Sequence, residues 1–418
     1  MESIRVLWVS SQLFSDKDEK QSGVWQKALA DKLLESNLLV LGNVSFQTSS
    51  KSITKSFYKN IVQWGLPRKG KIKKGLPHPI IRHYYNEIIE DFNPDLIQVW
   101  GSENPLKLLP FVSQSQIPVL LTIQGVLGTI GATILRGLSL RDVLYTIGLR
   151  EILFNSSLLA IKRSFEKEAI IESQVVNCAR FIETQSEWTK AQIISVNPSA
   201  KYLITKRVLR PAFMSAEKWT HFDHINPIIY TASWGYSLKG LHVLIRALAI
   251  VKRYYSNVQL RIAGAVGRND WLGDGYLRLI IKMIKINSLG NNVFWLGSID
   301  ASEIISELQQ ASVFVNASFV ESYSVALAEA MCVGTPSVVS YAGAMPELAE
   351  PDSEALYFTP GDHNQCAFQI LKLLNNPDLA YSLSLKALDR NVKKVSETDI
   401  VQIQYRNYLE VLSSFTPN

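Results

Sequence analysis

Residues 312–348 read SVFVNASFVESYSVALAEAMCVGTPSVVSYAGAMPEL, and this stretch decides the fold. A strand-like run, Val313–Asn316, leads into a polar turn with Glu321 and then into a helix-like run that contains Glu329. A Gly-Thr-Pro break and a second strand-like run, Pro336–Ser340, follow. The order strand, loop, helix, strand places the start of the helix at the carboxyl edge of a sheet, where open α/β folds bind ligands.

The spacing between Glu321 and Glu329 limits the kind of ligand that both can bind. Eight residues of helix rise roughly 12 Å, so both carboxylates cannot hold one ligand atom. A helix N-terminus suits a phosphate, and a carboxylate accepts hydrogen bonds from a vicinal diol. The spacing therefore fits a nucleotide diphosphate sugar, with a solvated surface helix as the alternative. The backbone N–H groups that would lie between the carboxylates are those of Ser322, Tyr323, Ser324 and Val325.

The same stretch resembles the signature of the retaining glycosyltransferases of family 4, also called group 1, of bacterial polysaccharide biosynthesis. The matching elements are Glu321, Glu329-Ala330-Met331, Gly334-Thr335-Pro336 and the loop Gly343–Glu347. The resemblance implies the α/β fold GT-B, with two Rossmann-like domains that face a cleft. It also implies that Glu321 contacts the donor sugar and acts in catalysis, and that Glu329 contacts the nucleotide ribose.

A lysine precedes the first helix of the second half, in the run IIYTASWGYSLKGLHVLIRAL of residues 228–248. A loop lysine at a cleft can neutralise a diphosphate leaving group, although most loop lysines are only solvated. The resemblance assigns this catalytic role to Lys239, within an Arg…Lys-Gly pattern. Ser233 stands where that arginine is expected. The phosphate charge is then met by Ser233, by backbone N–H groups or by another basic residue.

Three glycines follow predicted strands and resemble the strand–glycine edges of the family. They are Gly264 after QLRIA, Gly297 after VFWL and Gly23 in the loop after the first strand. Glycine lets the backbone approach a nucleotide closely, and a plain tight turn is the alternative. The match at Gly23 is partial, because Val24 stands where a second glycine is common.

Two polar residues end predicted strands of the first half. Gln124 stands where many relatives have histidine, and an amide cannot act as a general base. Glu103 follows the strand before it and is a candidate base or acceptor contact, with a helix cap for residues 104–110 as the alternative. Both are candidates for a contact with the acceptor, with no definite role assigned to either.

Short apolar runs alternate with amphipathic helical stretches along most of the chain, which favours parallel sheets covered by helices. The predicted domains are residues 1–213, which bind the acceptor, and residues 226–395, which bind the nucleotide sugar. The resemblance adds that residues 396–418 cross back to the first domain as a helix. The break is expected within the polar and aromatic residues 211–226.

Composition excludes several classes of protein. The 418 residues are 47% hydrophobic and 19% charged, which is enough for two cores and argues against disorder. Three widely spaced cysteines argue against a disulfide framework and fit a reducing compartment. Neither a secretory signal nor a Cys/His cluster with metal-ligand spacing is evident, so a cytoplasmic, metal-independent protein without a cofactor is expected.

Two segments suggest a membrane surface. Residues 51–74 carry eight basic and no acidic side chains with interleaved aromatic residues, which suits an anionic membrane, a single-stranded nucleic acid or a solvated loop. A membrane is favoured over nucleic acid, for which no motif is present. Residues 126–160 are apolar with sparse charge and predict either a core helix pair or a face lying on a membrane. The protein would then be peripheral on the inner face of the membrane.

Together these features predict a retaining transferase that moves a hexose-type sugar from a nucleotide diphosphate sugar to a saccharide or lipid-linked saccharide. Polysaccharide or glycolipid biosynthesis is the expected setting. Two alternatives remain. One is another GT-B enzyme such as a sugar-nucleotide epimerase; the other is a catalytically silent nucleotide-sugar-binding protein, suggested by Ser233 and Gln124.

Overall fold

The computed structural model describes residues 3–15, 24–47, 51–68, 76–112, 116–220, 223, 225–232, 237–264, 274–394 and 397–416. Its strands are β1 (Ile4–Val9), β2 (Leu39–Gln47), β3 (Thr54–Tyr58), β4 (Ile61–Pro67), β5 (Leu96–Trp100), β6 (Val119–Thr122), β7 (Phe181–Thr184), β8 (Lys201–Ile204), β9 (Ile228–Thr231), β10 (Gln259–Ala263), β11 (Val293–Gly297), β12 (Val313–Asn316), β13 (Ser337–Ser340) and β14 (Leu356–Phe358).

Helices connect most of these strands. They are α1 (Val24–Glu35), α2 (Pro79–Phe92), α3 (Leu109–Val112), α4 (Leu127–Thr133), α5 (Leu140–Tyr145), α6 (Leu149–Leu153), α7 (Leu158–Cys178), α8 (Glu187–Ile194), α9 (Pro211–Ser215), α10 (Leu241–Val251), α11 (Gly275–Ile286), α12 (Ala301–Gln310), α13 (Val325–Val333), α14 (Met345–Leu348), α15 (His363–Leu374), α16 (Pro377–Lys394) and α17 (Glu397–Ser414). Within the described ranges, no helix is both long and apolar enough to span a bilayer.

The chain divides into two compact units. The first unit contains residues 1–127, 167–208 and 395–418, and the second contains residues 128–166 and 209–394. The C-terminal helix belongs to the first unit, as predicted for a returning helix. The predicted range 1–213 differs from this division, because residues 128–166 pack with the second unit and the later boundary lies at 208–209 rather than within 211–226. Arginines on α10 and α11 bind the 128–166 segment, as described below.

The second unit is built on a sheet of six parallel strands in the order β11-β10-β9-β12-β13-β14. Chain order therefore runs outward from β9 to one edge and then from β12 to the other edge. Loops after β9 and β12 leave the sheet in opposite directions, which opens a crevice at the carboxyl ends of these two strands. This topological switch point is where the predicted donor residues should meet.

The first unit has an eight-stranded sheet in the order β3-β4-β2-β1-β5-β6-β7-β8, parallel except for the β3–β4 hairpin at one edge. Alternate residues of β1 enter two different apolar clusters, so both faces of the sheet are covered: Val6 and Trp8 lie in one, Leu7 and Val9 in the other. The switch point of this sheet lies between β1 and β5.

Helix α17 completes one of these clusters. Tyr408 is fully buried and its hydroxyl accepts a hydrogen bond from the Trp8 indole at 3.2 Å. Gln404 and Asn407 donate to the carboxylate of buried Glu183 on β7, at 3.0 and 2.8 Å. The prediction of a C-terminal helix that returns to the first sheet is therefore confirmed.

The described part of the basic segment 51–74 forms β3 and β4. Four of its apolar side chains are buried in the core of the first unit: Tyr58, Ile61, Trp64 and Leu66. Lys55 and Lys59 form ion pairs with Asp91 and Asp31. Tyr58 and Trp64 are therefore not available to a membrane, because the sheet buries them, whereas Phe57 is 73% exposed and the membrane role of this segment stays a prediction. Lys69, Lys71, Lys73 and Lys74 lie outside the described residues.

Candidate functional site at the second sheet

The switch point of the second sheet is occupied by an ion pair between two predicted residues. Lys239 ends a short 3-10 turn after β9, and Glu321 lies in the loop after β12. The Lys239 Nζ atom lies 2.6 Å from Oε1 of Glu321, and the Ser318 hydroxyl donates to the same oxygen at 2.7 Å. The lysine side chain is 30% exposed and the glutamate side chain 10%, so the pair lies at the surface of the crevice.

The loop after β9 is fixed against the loop after β12 by backbone contacts. The Phe319 N–H donates to the Leu238 carbonyl at 2.8 Å. Gly240 has φ +70°, and a Cβ atom added there would lie 1.9 Å from the carbonyl oxygen of Ala317. Only glycine allows so close an approach, which explains why the residue after Lys239 is glycine.

The loop Gly343–Glu347 packs on the other side of Glu321. The Ala344 N–H donates to the Glu321 carbonyl at 2.8 Å. Gly343 has φ +59°, and a Cβ atom there would lie 2.0 Å from the same carbonyl oxygen. The Lys239-Gly240 turn and the Gly343–Glu347 loop therefore both pack against the loop after β12, which carries the Glu321 side chain.

Helix α13 begins at the same edge and is the helix-like run with Glu329 that the sequence predicts. Ser324 caps it by accepting a hydrogen bond from the Leu327 N–H at 3.2 Å, and Asn316 donates to the Ser324 hydroxyl at 3.0 Å. Ser322 and Tyr323 are half-buried in the turn before the helix, and Val325 is its first residue. The first turn of any helix presents backbone N–H groups and a positive dipole end, which suits an anionic group at this position.

Glu329 lies one turn further along α13, where Arg210 binds it. The Nε and Nη2 atoms of Arg210 both donate to Oε1 of Glu329, at 2.9 and 2.7 Å. Burial raises the pKa of Glu329, and Arg210 opposes this shift. The guanidinium also stacks on the Phe213 ring at 4.5 Å. No local pattern in the sequence predicts this role for Arg210, which precedes Pro211 outside any motif and lies 119 residues before its partner.

In each of the two carboxylates, a single oxygen receives the cation contacts. The cation and hydroxyl contacts of Glu321 and the guanidinium contacts of Glu329 all reach Oε1. No hydrogen bond from any described residue reaches Oε2 of either side chain. A ligand hydroxyl can therefore bind at Oε2 while the cation stays in place.

His242 on α10 packs beneath the loop after β12 and also contacts α11. Its ring stacks on Phe319 with centroids 5.6 Å apart, and its Nδ1 atom lies 2.8 Å from the Tyr276 hydroxyl. Burial lowers the pKa of His242 to about 3, so the ring is neutral at physiological pH. His242 supports the loops by packing and does not carry charge to the site.

The predicted glycines fall in two groups. Gly264 follows β10 and Gly297 ends β11, and the Gly264 N–H donates to the Gly297 carbonyl at 2.7 Å. Both therefore lie at the carboxyl edge of the second sheet, as expected for residues near a ligand. Gly23 and Ser233 lie outside the described residues.

In the first unit, Glu103 and Gln124 follow the neighbouring strands β5 and β6. Burial raises the pKa of Glu103, with Lys107 opposing the shift. Lys107 itself is fully buried at the switch point of this sheet, where its ammonium donates to the carbonyls of Val9 and Trp100 at 2.9 and 2.5 Å. Burial lowers its pKa to about 8. The acceptor roles of Glu103 and Gln124 stay predictions.

Among the described residues, no group of three or more His, Cys, Asp or Glu side chains is arranged to hold a metal ion. Cys332 and Cys366 are buried free thiols, and burial raises the pKa of Cys332 to about 11. Burial raises the pKa of Cys366 as well. Neither is a thiolate at neutral pH.

Residues 217–393 match the family model described as Glycosyl transferases group 1. The MMP alpha-(1->4)-mannosyltransferase of Mycolicibacterium hassiacum is 32% identical over 153 residues, which are 36% of this chain and 35% of that protein. A second relative, a glycogen synthase of Mycobacterium tuberculosis, is 26% identical over 152 residues, which are 36% of this chain and 35% of that protein. The chain thus spans about a third of the length of these curated relatives.

Solved structures match over nearly the whole chain. Sucrose-phosphate synthase from Thermosynechococcus elongatus has a TM-score of 0.75 at 15% identity and covers 98% of this chain and 100% of its own. The Anabaena protein Alr3699/HepE, solved in complex with UDP and glucose, has a TM-score of 0.66 at 15% identity, with coverage of 98% and 100%. At such low identity these matches establish the fold alone. Residues 217–393 are therefore a domain of the Glycosyl transferases group 1 family, and the chain has the GT-B fold.

Proposed function

We propose that the protein is a retaining glycosyltransferase that moves a hexose-type sugar from a nucleotide diphosphate sugar to a saccharide or lipid-linked saccharide acceptor. We place the reaction in polysaccharide or glycolipid biosynthesis, on the cytoplasmic side of a membrane. The single observation that carries the proposal is the Lys239–Glu321 pair at the switch point, beside the start of α13, the helix that holds Glu329.

The arrangement matches the parts of such a donor in order. Oε2 of Glu321 accepts a hydroxyl of the donor sugar, and Oε2 of Glu329 accepts a ribose hydroxyl. The diphosphate lies between them, against the backbone N–H groups at the start of α13. Lys239 then faces the diphosphate from the neighbouring loop. The two carboxylates keep their cations on Oε1 throughout, so binding costs no ion pair.

The chemical step is a substitution at the anomeric carbon. The bond from that carbon to the diphosphate oxygen breaks, and a bond to the acceptor hydroxyl oxygen forms on the same face of the sugar. The acceptor proton passes to an oxygen of the departing diphosphate, so no side chain needs to act as the base. Lys239 and the α13 N-terminus stabilise the charge that develops on the leaving group, and the fixed loops hold the reactants in place.

Arg210 is the residue that we propose in place of the arginine expected at position 233. Its guanidinium is bound to α13 through Glu329, with only one carboxylate oxygen engaged, and 19% of its side chain is exposed. A guanidinium presents five donors, so Arg210 can bind Glu329 and an anionic group of the ligand together. This second cation compensates for Ser233.

Similar proteins favour a hexose donor. The Anabaena structures were solved with UDP, with UDP and glucose and with UDP-glucose. The relative from Mycolicibacterium is named for mannosyl transfer. These names support a search that begins with UDP- and GDP-hexoses.

The proposal is tested by a thermal-shift screen of UDP-, GDP- and ADP-sugars with the full chain. A donor present at a hundredfold excess over its Kd stabilises the folded state by about 2.7 kcal/mol, which is readily detected. The Glu329→Ala variant should lose the shift, whereas Glu303→Ala, a change on α12 of the same unit, should keep it. If no nucleotide sugar stabilises the protein and an unrelated cofactor does, the proposal is wrong.

Turnover then separates the alternatives. With donor and a saccharide acceptor, NMR of the product should show the anomeric configuration of the donor. An epimerase would convert the donor without any acceptor, and a silent binding protein would give no product at all. Because Lys239, Arg210 and the helix N-terminus already supply positive charge, we also expect transfer to proceed unchanged in EDTA; loss of activity restored by a divalent cation would contradict this.

A further inference from the structure

The 128–166 segment turns both of its central acidic residues toward the body of the second unit. Asp142 on α5 binds Arg246 of α10 at 2.9 Å, and Glu151 on α6 binds Arg278 of α11 at 2.5 Å. The Glu151 side chain is only 2% exposed. No other acidic residue lies between positions 128 and 158. The inner side of this stretch thus carries all of its negative charge.

The two short helices meet at one place on α11. Glu151 accepts from the Gly275 N–H at 3.1 Å, and Arg278 donates to the Thr146 carbonyl at 3.3 Å. Arg246 also donates to the Gly137 carbonyl at 2.8 Å, just before α5. The start of α11 therefore contacts both the end of α5, through Thr146, and α6, through Glu151, which brings the outer sides of the two short helices next to each other.

The outer side of α5 and α6 is apolar and exposed. Leu149 is 72% exposed, Leu153 74% and Phe154 71%. The complete set between positions 140 and 154, which we name the 140–154 surface, is Leu140, Leu144, Tyr145, Leu149, Ile152, Leu153 and Phe154. Seven large apolar side chains within 15 residues exceed the scattered exposure that is ordinary for a soluble protein and mark an interaction site.

Positive side chains border this surface. Arg136 and Arg141 are exposed, and Arg150 is partly exposed beside α6. The Lys282 ammonium on α11 lies 3.7 Å from the centre of the Tyr145 ring. Apolar side chains surrounded by cations, with the carboxylates turned away, are the composition of a protein face that lies in the headgroup region of an anionic bilayer.

We propose that the 140–154 surface docks on an anionic phospholipid bilayer, with its leucine and phenylalanine side chains in the boundary between headgroups and acyl chains. A second copy of the chain fits less well, because a symmetric contact would bring the same arginines together across the interface. The proposal does not depend on the proposed transferase activity, since vesicle binding is measured without donor or acceptor.

The experiment is co-sedimentation of the full chain with two kinds of vesicle, one of phosphatidylcholine alone and one of equal parts phosphatidylcholine and phosphatidylglycerol. The protein should sediment with the anionic vesicles at low salt. The triple variant Leu149→Gln, Leu153→Gln, Phe154→Gln should bind on the order of a hundredfold more weakly, because its apolar side chains no longer enter the bilayer. The pair Arg141→Gln, Arg150→Gln should weaken binding roughly 30-fold, at about 1 kcal/mol for each cation.

Matched controls separate this surface from general stickiness and from charge. Phe368→Gln with Leu385→Gln removes two apolar side chains that are 63% and 66% exposed on other helices of the same unit. Arg253→Gln with Lys372→Gln removes two exposed cations elsewhere on that unit. Both pairs should bind vesicles like the unchanged protein. Thermal unfolding of every variant checks that it is folded.

Three results would overturn the proposal. One is equal sedimentation with neutral and anionic vesicles, which would remove the role of the cations. Another is unchanged binding of the folded triple variant. The third is a protein that does not bind vesicles but forms a dimer that the triple variant abolishes in size-exclusion chromatography, which would make this surface a self-interface.

Discussion

The two sheets use a lysine in opposite ways at their switch points. In the first unit, Lys107 is fully buried and its ammonium closes the carboxyl ends of β1 and β5 by donating to two backbone carbonyls. In the second unit, Lys239 is 30% exposed and pairs with Glu321 on a loop. A cation that satisfies backbone groups is part of the architecture, whereas one that pairs with a half-engaged carboxylate can also serve a ligand.

Two buried carboxylates repeat the contrast. Burial raises the pKa of both Glu183 and Glu329. Glu183 receives only neutral donors, from Gln98, Thr122, Gln404 and Asn407. Glu329 is held by one guanidinium on a single oxygen. The fully coordinated carboxylate stabilises the fold of the first unit, and the half-coordinated one belongs to the candidate site.

The largest effect is expected from Glu183→Leu. The change removes the acceptor of four hydrogen bonds, three of them from the fully buried Gln98, Thr122 and Gln404, which should lower the free energy of unfolding by about 4 kcal/mol and the Tm with it. Glu183→Gln keeps one acceptor oxygen and should cost less than half as much. Thermal unfolding measures both. Binding of the nucleotide sugar by the folded variant should be unchanged. A selective loss of affinity for the nucleotide sugar would contradict the contrast between the two sheets.

Lys239→Ala tests the opposite prediction in the second unit. Removing one preorganised cation from a developing leaving-group charge should slow transfer about 300-fold. Thermal stability should fall less than for Glu183→Leu, because the Ser318 hydroxyl still donates to the Glu321 carboxylate. Steady-state kinetics with the donor found in the screen measures this. Lys252→Ala, which removes a lysine that binds the Ser288 carbonyl in the same unit, is the matched control and should keep its activity. A stability loss as large as that of Glu183→Leu would mean that Lys239 is architectural.

Arg210→Ala should destabilise the ligand-free protein by about 2 kcal/mol at pH 8, because Glu329 is left charged and unpaired in a buried site. Without Arg210 the folded-state pKa of Glu329 rises further above its unfolded value. The free energy of unfolding of the variant therefore falls as the pH rises through that raised pKa. The difference in stability between the variant and the unchanged protein should be smaller at pH 5 than at pH 8. Unfolding at both pH values measures the effect.

Two variants sharpen the result for Arg210. Adding Glu329→Gln should restore most of the stability and abolish the pH difference. Arg261→Ala breaks a comparable pair with Glu307 in the same unit and should not affect nucleotide binding. If Arg210→Ala leaves nucleotide affinity unchanged as well, Arg210 does not replace the arginine missing at position 233.

The smallest effect is expected from Ser318→Ala, which removes the hydroxyl that donates to Oε1 of Glu321. The loss of one hydrogen bond to a charged group should cost about 1.5 kcal/mol of nucleotide-sugar affinity, roughly tenfold. Because Glu321 is proposed to hold the sugar, affinity for the free nucleotide should not change. Ser302→Ala at the start of α12 is the control. Equal losses for sugar nucleotide and free nucleotide would contradict the assignment of Glu321 to the sugar.

Much of the second sheet could be predicted because each of its strands and helices shows its pattern within a short stretch of the sequence. The bounds of β12, α13 and β13 follow from apolar runs bounded by a polar turn, a serine cap and a glycine. Apolar runs alone do not predict β2 and β4, because these strands bury polar side chains: the amide of Asn43 in β2 donates to Gln63 in β4 at 3.0 Å. A hydrogen bond between two strands is not visible in either strand alone.

The residues of the candidate site could be predicted where they belong to a sequence motif, and could not be predicted elsewhere. Lys239 and Glu321 belong to recognisable runs, and the fold brings them together. Arg210 has no local signal, since its role depends on a glutamate far along the chain. The assignment of residues 128–166 to the second unit was hidden for the same reason, because it depends on Arg246 and Arg278, about a hundred residues later.

The return of α17 to the first sheet has a consequence for the order of synthesis. Domains usually fold as they leave the ribosome, beginning with the first one made. In this chain the Tyr408 and Gln98 side chains meet across 310 residues, so the first sheet stays incomplete until the second unit has been translated. A chain that stops after residue 394 should therefore expose and destabilise the unit made first, while the unit made last folds normally.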